Sequence, residues 1–149
     1  MKSLYDIETL AEVLDRINQL KPASLAQWGK MNAAQTMEHC ALALDFATGK
    51  TKEPRMLLGY ILGPLFKSLY YNDTPYKKNL ATAKSLLVSD PIEFEKAKNR
   101  LINLVKEFSM GGASKCTKHP SSFYGHLSPA QHGFGQYKHL DHHLQQFAV

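Results

Sequence analysis

Cysteine is scarce in this 149-residue chain, and neither Cys40 nor Cys116 belongs to a C-x-x-C pair. Two isolated cysteines exclude a fold that depends on a disulfide framework. The first residues, MKSLYDIETLAEVLDR, carry charges where a secretory signal peptide needs an apolar run. We therefore expect a cytoplasmic protein with reduced thiols.

Long apolar runs are also missing. The longest is Met56–Phe66, well short of the roughly 20 residues that a membrane-spanning helix needs. This run contains Gly59, Gly63 and Pro64, which predicts a buried, kinked helix. We expect no membrane partner, and the same run is an alternative candidate for a homodimer interface.

The chain has no arginine-rich run and no RNP or zinc-finger pattern, although its net charge is +5. Residues 51–118 carry twelve of its 18 basic and six of its 13 acidic side chains. A basic segment can attract anions or nucleic acid, but these lysines are scattered, as on a solvated face. Nucleic acid binding is not expected; Lys77 and Lys78 are candidates for binding an anionic ligand.

Apolar residues recur at helical spacing through most of the chain, and no segment alternates like a strand. The composition, 44% hydrophobic and 21% charged, is that of an ordinary globular protein. The pattern predicts one all-α domain over residues 1–149.

Capping and breaking residues predict where these helices begin and end. The predicted starts are Asp6, Asn32, Arg55, Asp90 and Ser128, and the predicted ends are Pro22, Gly49, Tyr71, Gly111-Gly112 and Phe147. Ser24–Gln27 fits a capping box that opens a short turn. Residues 72–89 and 111–125 are expected as two long loops, with Leu80–Val88 left open between a short helix and extended chain.

The last helix carries a stripe of histidines and apolar residues at helical spacing. Its members are Gln136, His139, Leu140, His143, Leu144 and Phe147. His139 and His143, one turn apart, converge within reach of one cation. Leu140 follows His139, so the H-E-x-x-H motif of metalloproteases is absent. His142 falls in a polar row beside this stripe.

His39 lies in the middle of an apolar helix, where a buried imidazole needs a partner. It is the candidate for a third metal ligand. Spacing alone leaves two other interpretations open: His39 as a hydrogen-bonded core residue, and His139 with His143 as surface residues.

Several stretches together resemble a known family. They are Trp28-Gly29-Lys30-Met31, Gln35–His39, Asp90-Pro91 with Phe94, the His119-Pro120 to Gly125 loop, and the tail YKHLDHHLQQF. They are similar to the DinB/YfiT-like superfamily, assigned as metalloenzymes, and within it to a branch known only as a domain of unknown function. The resemblance implies a four-helix bundle with an extra short helical segment. It also implies a divalent metal held at His39, His139 and His143.

Three neutral imidazoles leave open positions on a divalent ion, as in catalytic sites. We expect zinc or nickel first, with iron or manganese as further options. Characterised superfamily members use low-molecular-weight thiols such as bacillithiol and mycothiol, so the resemblance implies S-transferase-like chemistry on a small molecule. The alternatives are a metal-dependent hydrolase and a non-catalytic bundle that binds metal or another protein.

No residue stands out as a general acid or base, because Glu38 is turned about 100° away from His39 on the helix. Gln35 and Gln136 are candidates for orienting the ligands or binding substrate, and His119 is a candidate at the pocket mouth. Cys40 is expected to be a buried core thiol, and His132 is expected to be exposed.

Overall fold

The computed structural model describes residues 1–149 as an all-helical chain without strands, which confirms the predicted fold class. Its five α-helices are α1 (Ile7–Gln19), α2 (Ala33–Thr48), α3 (Leu57–Tyr71), α4 (Phe94–Lys115) and α5 (Pro129–Gln145). A single 3-10 turn, Lys84–Leu86, interrupts the long segment between α3 and α4. No helix has both the length and the apolar character that crossing a membrane requires.

The two helices that carry the histidines begin where the sequence predicts. Asn32 caps α2 by accepting a hydrogen bond from the Gln35 backbone N–H, and the Gln35 side chain returns the contact. Ser128 and Gln131 form the same reciprocal capping box at α5. These caps satisfy backbone groups that a helix start leaves unpaired.

The predicted start of α4 at Asp90 is wrong by one turn. Glu93 is the capping residue, and its carboxylate accepts hydrogen bonds from the backbone N–H groups of Glu95 and Lys96. The carbonyls of Ser89 and Asp90 instead face the Gln35 side-chain amide, at 3.1 and 3.4 Å. This long-range contact favours extended chain there over the cap that the local sequence offers.

The predicted end at Gly111-Gly112 coincides with a break in α4. Gly112 has a φ of 58° and a ψ of −157°, which is not a helical conformation, and a short further helical turn follows it to Lys115. One other predicted element is corrected. Ser24–Gln27 forms no helical turn; the Ser24 hydroxyl accepts from the Lys21 backbone N–H instead.

The hydrophobic core lies among α1, α2, α4 and α5. Its largest fully buried members include Phe108, Met37, Leu101, Leu44 and Leu140. Cys40 belongs to this core at 3% exposure, as predicted for a buried thiol. One face of α2 and one face of α5 are therefore used in ordinary core packing, which leaves their other faces for different contacts.

The prediction that Met56–Phe66 forms a buried helix is wrong. Leu57, Ile61 and Leu65 on α3 are 86%, 71% and 71% exposed. Only Gly59 and Gly63 are buried, because the backbone of residues 122–123 lies so close that a Cβ at either position would meet it below 3 Å. The helix contacts residues 122–123 through its glycine face, while Leu57, Ile61 and Leu65 point to solvent.

Candidate metal centre

Three histidines from two helices meet where α2 crosses α5. His39 comes from the middle of α2 and is 2% exposed, while His139 and His143 are partly buried on α5. One nitrogen from each ring lies within 4.8 Å of the others. The ring centroids form a nearly equilateral triangle with sides of 4.7 to 4.9 Å. The arrangement is compatible with three imidazoles sharing one metal ion.

A backbone carbonyl fixes which nitrogen of His39 carries its proton. The His39 Nδ1 atom lies 2.7 Å from the Leu86 carbonyl oxygen, and a carbonyl only accepts hydrogen bonds. Nδ1 is therefore the donor, and in the neutral ring Nε2 is left with a lone pair. This lone pair faces the cluster, because Nε2 of His39 lies 2.9 Å from Nε2 of His139.

His143 is oriented in the same way by a side-chain amide. Its Nδ1 lies 2.8 Å from Oε1 of Gln146. The Gln146 amide is itself fixed, because its nitrogen donates to the Trp28 carbonyl at 2.6 Å. Nδ1 of His143 thus donates and its Nε2 keeps a lone pair. Anchoring of the far nitrogen by a carbonyl group is the usual support for metal-binding histidines.

His139 completes the cluster without such an anchor. Its Nδ1 is buried and has no hydrogen-bond partner, while its Nε2 faces the lone pair of His39. In the metal-free chain an Nε2–H of His139 would donate to the His39 lone pair. A shared cation at this point would take the Nε2 lone pairs of all three rings instead. The donor set therefore fits a divalent metal ion.

Burial keeps all three rings neutral. Desolvation lowers the pKa of His39, lowers that of His139 well below its usual value, and lowers that of His143 to about 3. The neighbouring imidazoles add to the effect at His139 and His143. Neutral imidazole is the form that binds metal, so no proton has to be displaced at neutral pH.

The three histidines open onto a cavity of about 850 Å³. Its wall includes Phe46, Met56, Leu80, Phe123 and Leu127, and the only charged side chains that line it are Lys30 and Glu53. The volume suits a small organic molecule, and the lining suits a largely uncharged one.

The other residues predicted for the site fall in different places. Gln136 is 5% exposed and lines the cavity. His119 is exposed, lines the cavity, and has Nε2 3.0 Å from the Glu53 carbonyl. Gln35 does not line the cavity, and its side chain is occupied in capping α2 and holding residues 89–90. Of the three, the structure brings Gln136 and His119 to the cavity.

The charged candidates lie away from the cluster. Glu38 pairs with Arg100 at 3.2 Å, which agrees with its predicted orientation away from His39. Lys77 and Lys78 are exposed and do not line the large cavity; Lys78 lies over the Trp28 ring, 4.2 Å from its centroid.

The prediction that His132 is exposed is wrong. It is 5% exposed, its two ring nitrogens have no partner, and desolvation lowers its pKa to about 4. The signal was present in the spacing, because His132 precedes Gln136, His139 and His143 by four, seven and eleven residues on one helix face. Tyr70 and the Leu86 carbonyl were missed because only the tertiary structure brings them to this face. Gln146 follows His143 by three residues, so helical spacing could have identified it.

Comparison with known proteins places the chain in one family. The family model described as "Protein of unknown function (DUF1569)" matches residues 1–149, so the chain belongs to this family. No curated protein and no solved structure matches the chain. The expected membership of a family of unknown function is confirmed, and the wider relationship to the DinB/YfiT-like superfamily stays a proposal.

Proposed function

We propose that this member of a family without an assigned activity is a divalent-metal-dependent enzyme acting on a small molecule. His39, His139 and His143 hold the metal, with zinc or nickel preferred and iron or manganese as further options. The observation that carries the proposal is the pair of fixed tautomers. Leu86 and Gln146 each engage an Nδ1, so that the Nε2 lone pairs of His39 and His143 are free for a metal.

The chemistry that fits best is transfer to or from a thiol. A divalent ion bound by three neutral histidines keeps its charge and lowers the pKa of a thiol or water that reaches it. Glu53, His119 and His142 line the cavity and could serve a hydrolase as a general base. A thiol has an unperturbed pKa of about 8.5, far below that of water, so a thiol bound to the metal would lose its proton to solvent near neutral pH without a dedicated base. S-transferase-like chemistry is therefore preferred over the hydrolase.

The chain's own residues would bind and orient the reactants. Apolar side chains along the cavity keep water away from the organic part of a substrate. Gln146 and the Leu86 carbonyl hold two imidazole rings in place, and Gln136 lies one turn from His139 where it can contact a bound molecule.

Metal analysis tests the proposal directly. Protein without an affinity tag, never exposed to a nickel column, is expected to contain about one divalent ion per chain by mass spectrometry. His39→Ala and His143→Ala should lose it, whereas His126→Ala, an exposed histidine outside the cluster, should keep it. Failure of the parent protein to bind zinc, nickel, manganese or iron salts would exclude the metalloenzyme.

The wider architecture belongs to the same proposal. α1, α2, α4 and α5 would form the four-helix bundle of a DinB-like domain over residues 1–149, with α3 added outside. The exposed leucines and isoleucine of α3 favour a second role, as a homodimer interface or protein-binding face. Sedimentation of the wild type and of a Leu57→Lys, Ile61→Lys variant tests the homodimer. A dimer that becomes a monomer in the variant supports the homodimer interface, and a monomeric wild type contradicts it.

A further inference from the structure

A second polar cluster lies along the same cavity, one to two helical turns from the three histidines. It consists of Tyr70 from α3 and His132 and Gln136 from α5, and we name it the inner polar pocket. His132, Gln136 and His139 are spaced by four and three residues on one face of α5. With a rise of about 1.5 Å per residue, Gln136 lies about 4.5 Å before His139 along the helix axis, and His132 lies about 10 Å before His139.

The two α5 members carry buried polar atoms without partners. Oε1 of Gln136 and both ring nitrogens of His132 make no hydrogen bond, although each residue is 95% buried. Buried polar atoms are nearly always paired, because an unpaired one costs about 1–3 kcal/mol. Three such atoms from two neighbouring residues on a cavity wall point to a ligand that supplies the missing partners.

Tyr70 adds a donor to this pocket. Its hydroxyl oxygen accepts a hydrogen bond of 3.0 Å from Nε2 of Gln136, so its own hydrogen remains available. Burial raises the pKa of Tyr70, which keeps the hydroxyl protonated. The ring is packed so closely on Gly135 that a Cβ there would lie 2.1 Å from it. The close packing holds the hydroxyl at this position.

The open hydrogen-bonding positions specify the chemistry of the ligand. The Tyr70 O–H is a donor and the adjacent Gln136 Oε1 is an acceptor. His132 adds one further position, because the two nitrogens of its ring point in different directions and a single ligand group meets only one of them. Lys30 and Glu53 are the only charged residues on the cavity wall, and neither belongs to the pocket. A carboxylate supplies acceptors only and an ammonium donors only, whereas a primary carboxamide supplies two N–H groups and two carbonyl lone pairs.

We propose that the inner polar pocket binds an uncharged carboxamide of the substrate, which places the rest of the molecule toward the three histidines. The inference rests on the proposed function for the reaction that follows, because the metal cluster lines the same cavity. The binding itself does not depend on metal, so the two proposals fail separately.

Binding of three probes with the same alkyl chain tests the assignment. Hexanamide, hexanoate and hexylamine are titrated into the ¹⁵N-labelled full chain, as isolated and after removal of metal with EDTA, and dissociation constants are read from NMR shifts. Hexanamide should bind at least about tenfold more tightly than hexanoate or hexylamine, and the Gln136 side-chain amide signals should shift. Equal binding of hexanoate or of hexylamine, or no binding of hexanamide, overturns the proposal.

Two substitutions and a matched control locate the site. Tyr70→Phe removes only the hydroxyl and Gln136→Leu removes the amide; each should weaken hexanamide binding by about fivefold or more. Gln145→Leu alters a glutamine on the same helix that does not line the cavity, and it should bind hexanamide as the wild type does. If hexanamide binds equally well to Tyr70→Phe and Gln136→Leu, the ligand lies elsewhere.

A zinc titration of the same samples separates this proposal from the metal site. Zinc binding without preference for hexanamide would refute the carboxamide pocket and leave the metalloenzyme standing. Preference for hexanamide without zinc binding would refute the metalloenzyme and support the pocket as a binding site.

Discussion

The two faces of α5 have different surroundings. Leu140 and Leu144 pack into a core shared with α1, α2 and α4, where nearly every buried side chain is apolar. His132, Gln136, His139 and His143 lie on a neighbouring face, along a cavity of about 850 Å³. α2 is divided in the same way, with Met37 in the core and His39 at the cavity.

This difference shows how one pair of helices serves stability and chemistry together. The core side is filled and contributes hydrophobic stabilisation. The cavity side keeps polar groups away from water and leaves several of them without partners, which is unfavourable unless a ligand binds. A rigid core on one face allows the other face to hold histidines at fixed distances.

The largest expected effect comes from the core side. Phe108 is 2% exposed and stacks on Tyr5 with ring centroids 4.9 Å apart. Phe108→Ala should lower the free energy of unfolding by about 3–5 kcal/mol, because it leaves a cavity. Urea denaturation measures this. The folded variant should still bind the wild-type amount of zinc; loss of zinc binding would show that the two sides are not independent.

Acid should destabilise the cavity side through His132. The pKa of His132 is lowered to about 4 in the folded chain, against about 6.5 when unfolded. As the pH falls, the unfolded chain protonates His132 before the folded chain does. The free energy of unfolding is therefore undiminished above about pH 6.5 and decreases as the pH falls towards 4. The loss between pH 7.5 and 4 should be about 3 kcal/mol.

Urea denaturation of metal-free protein at these two pH values measures the effect. His132→Phe should reduce the pH dependence by about that amount, while His126→Phe, an exposed control, should leave it unchanged. If His132→Phe had the same pH dependence of stability as the wild type, His132 would not be buried in its uncharged form.

A smaller effect is expected at the anchor of His143. Gln146→Leu removes the amide that accepts from Nδ1 and should weaken zinc binding by about 10–100-fold, as loss of an outer partner does at metal sites. Competition with a chromophoric chelator measures the affinity. Gln145→Leu is the matched control on an exposed position, and a similar loss there would argue against a specific anchor.

The smallest effect concerns the start of α2, the helix that both sides share. Asn32→Ala should cost about 1 kcal/mol, since it removes a capping hydrogen bond. Asp90→Ala should change stability by less than about 0.5 kcal/mol, because its side chain caps no helix. Thermal or urea denaturation distinguishes them; equal losses would mean that Asp90 has a capping role the structure does not show.

Local sequence was enough to predict the features that depend on neighbouring residues. The capping boxes at Asn32 and Ser128 are formed within one turn, so their residue types identify them directly. The helical repeat in the last helix placed His139 and His143 on one face, because side chains four residues apart on a helix lie together. Local sequence could not show that Glu93, and not Asp90, caps α4. The Gln35 side chain that binds the Ser89 carbonyl comes from 54 residues away.

The histidine that was misjudged shows the same limit. The helical repeat aligns His132 with His139. The burial of His132 depends on other segments of the chain that pack against it, including the Tyr70 ring at a centroid distance of 6.4 Å. α3 was misjudged for a related reason. Its apolar side chains predicted burial, yet its contact with residues 122–123 is made through Gly59 and Gly63.

The sequence by itself determined that the chain is all-helical and that His139 and His143 share a face. It also determined where α2 and α5, the two helices that contain histidines, begin. These properties follow from hydrogen bonds and side-chain spacing within a few residues. The tertiary structure decided that His39 joins them from 100 residues away. It also supplied the Leu86 carbonyl as an anchor for His39, the Trp28 carbonyl that holds the Gln146 amide, and Tyr70 for the inner polar pocket. These contacts join distant segments, so they exist only once the core has packed the helices together.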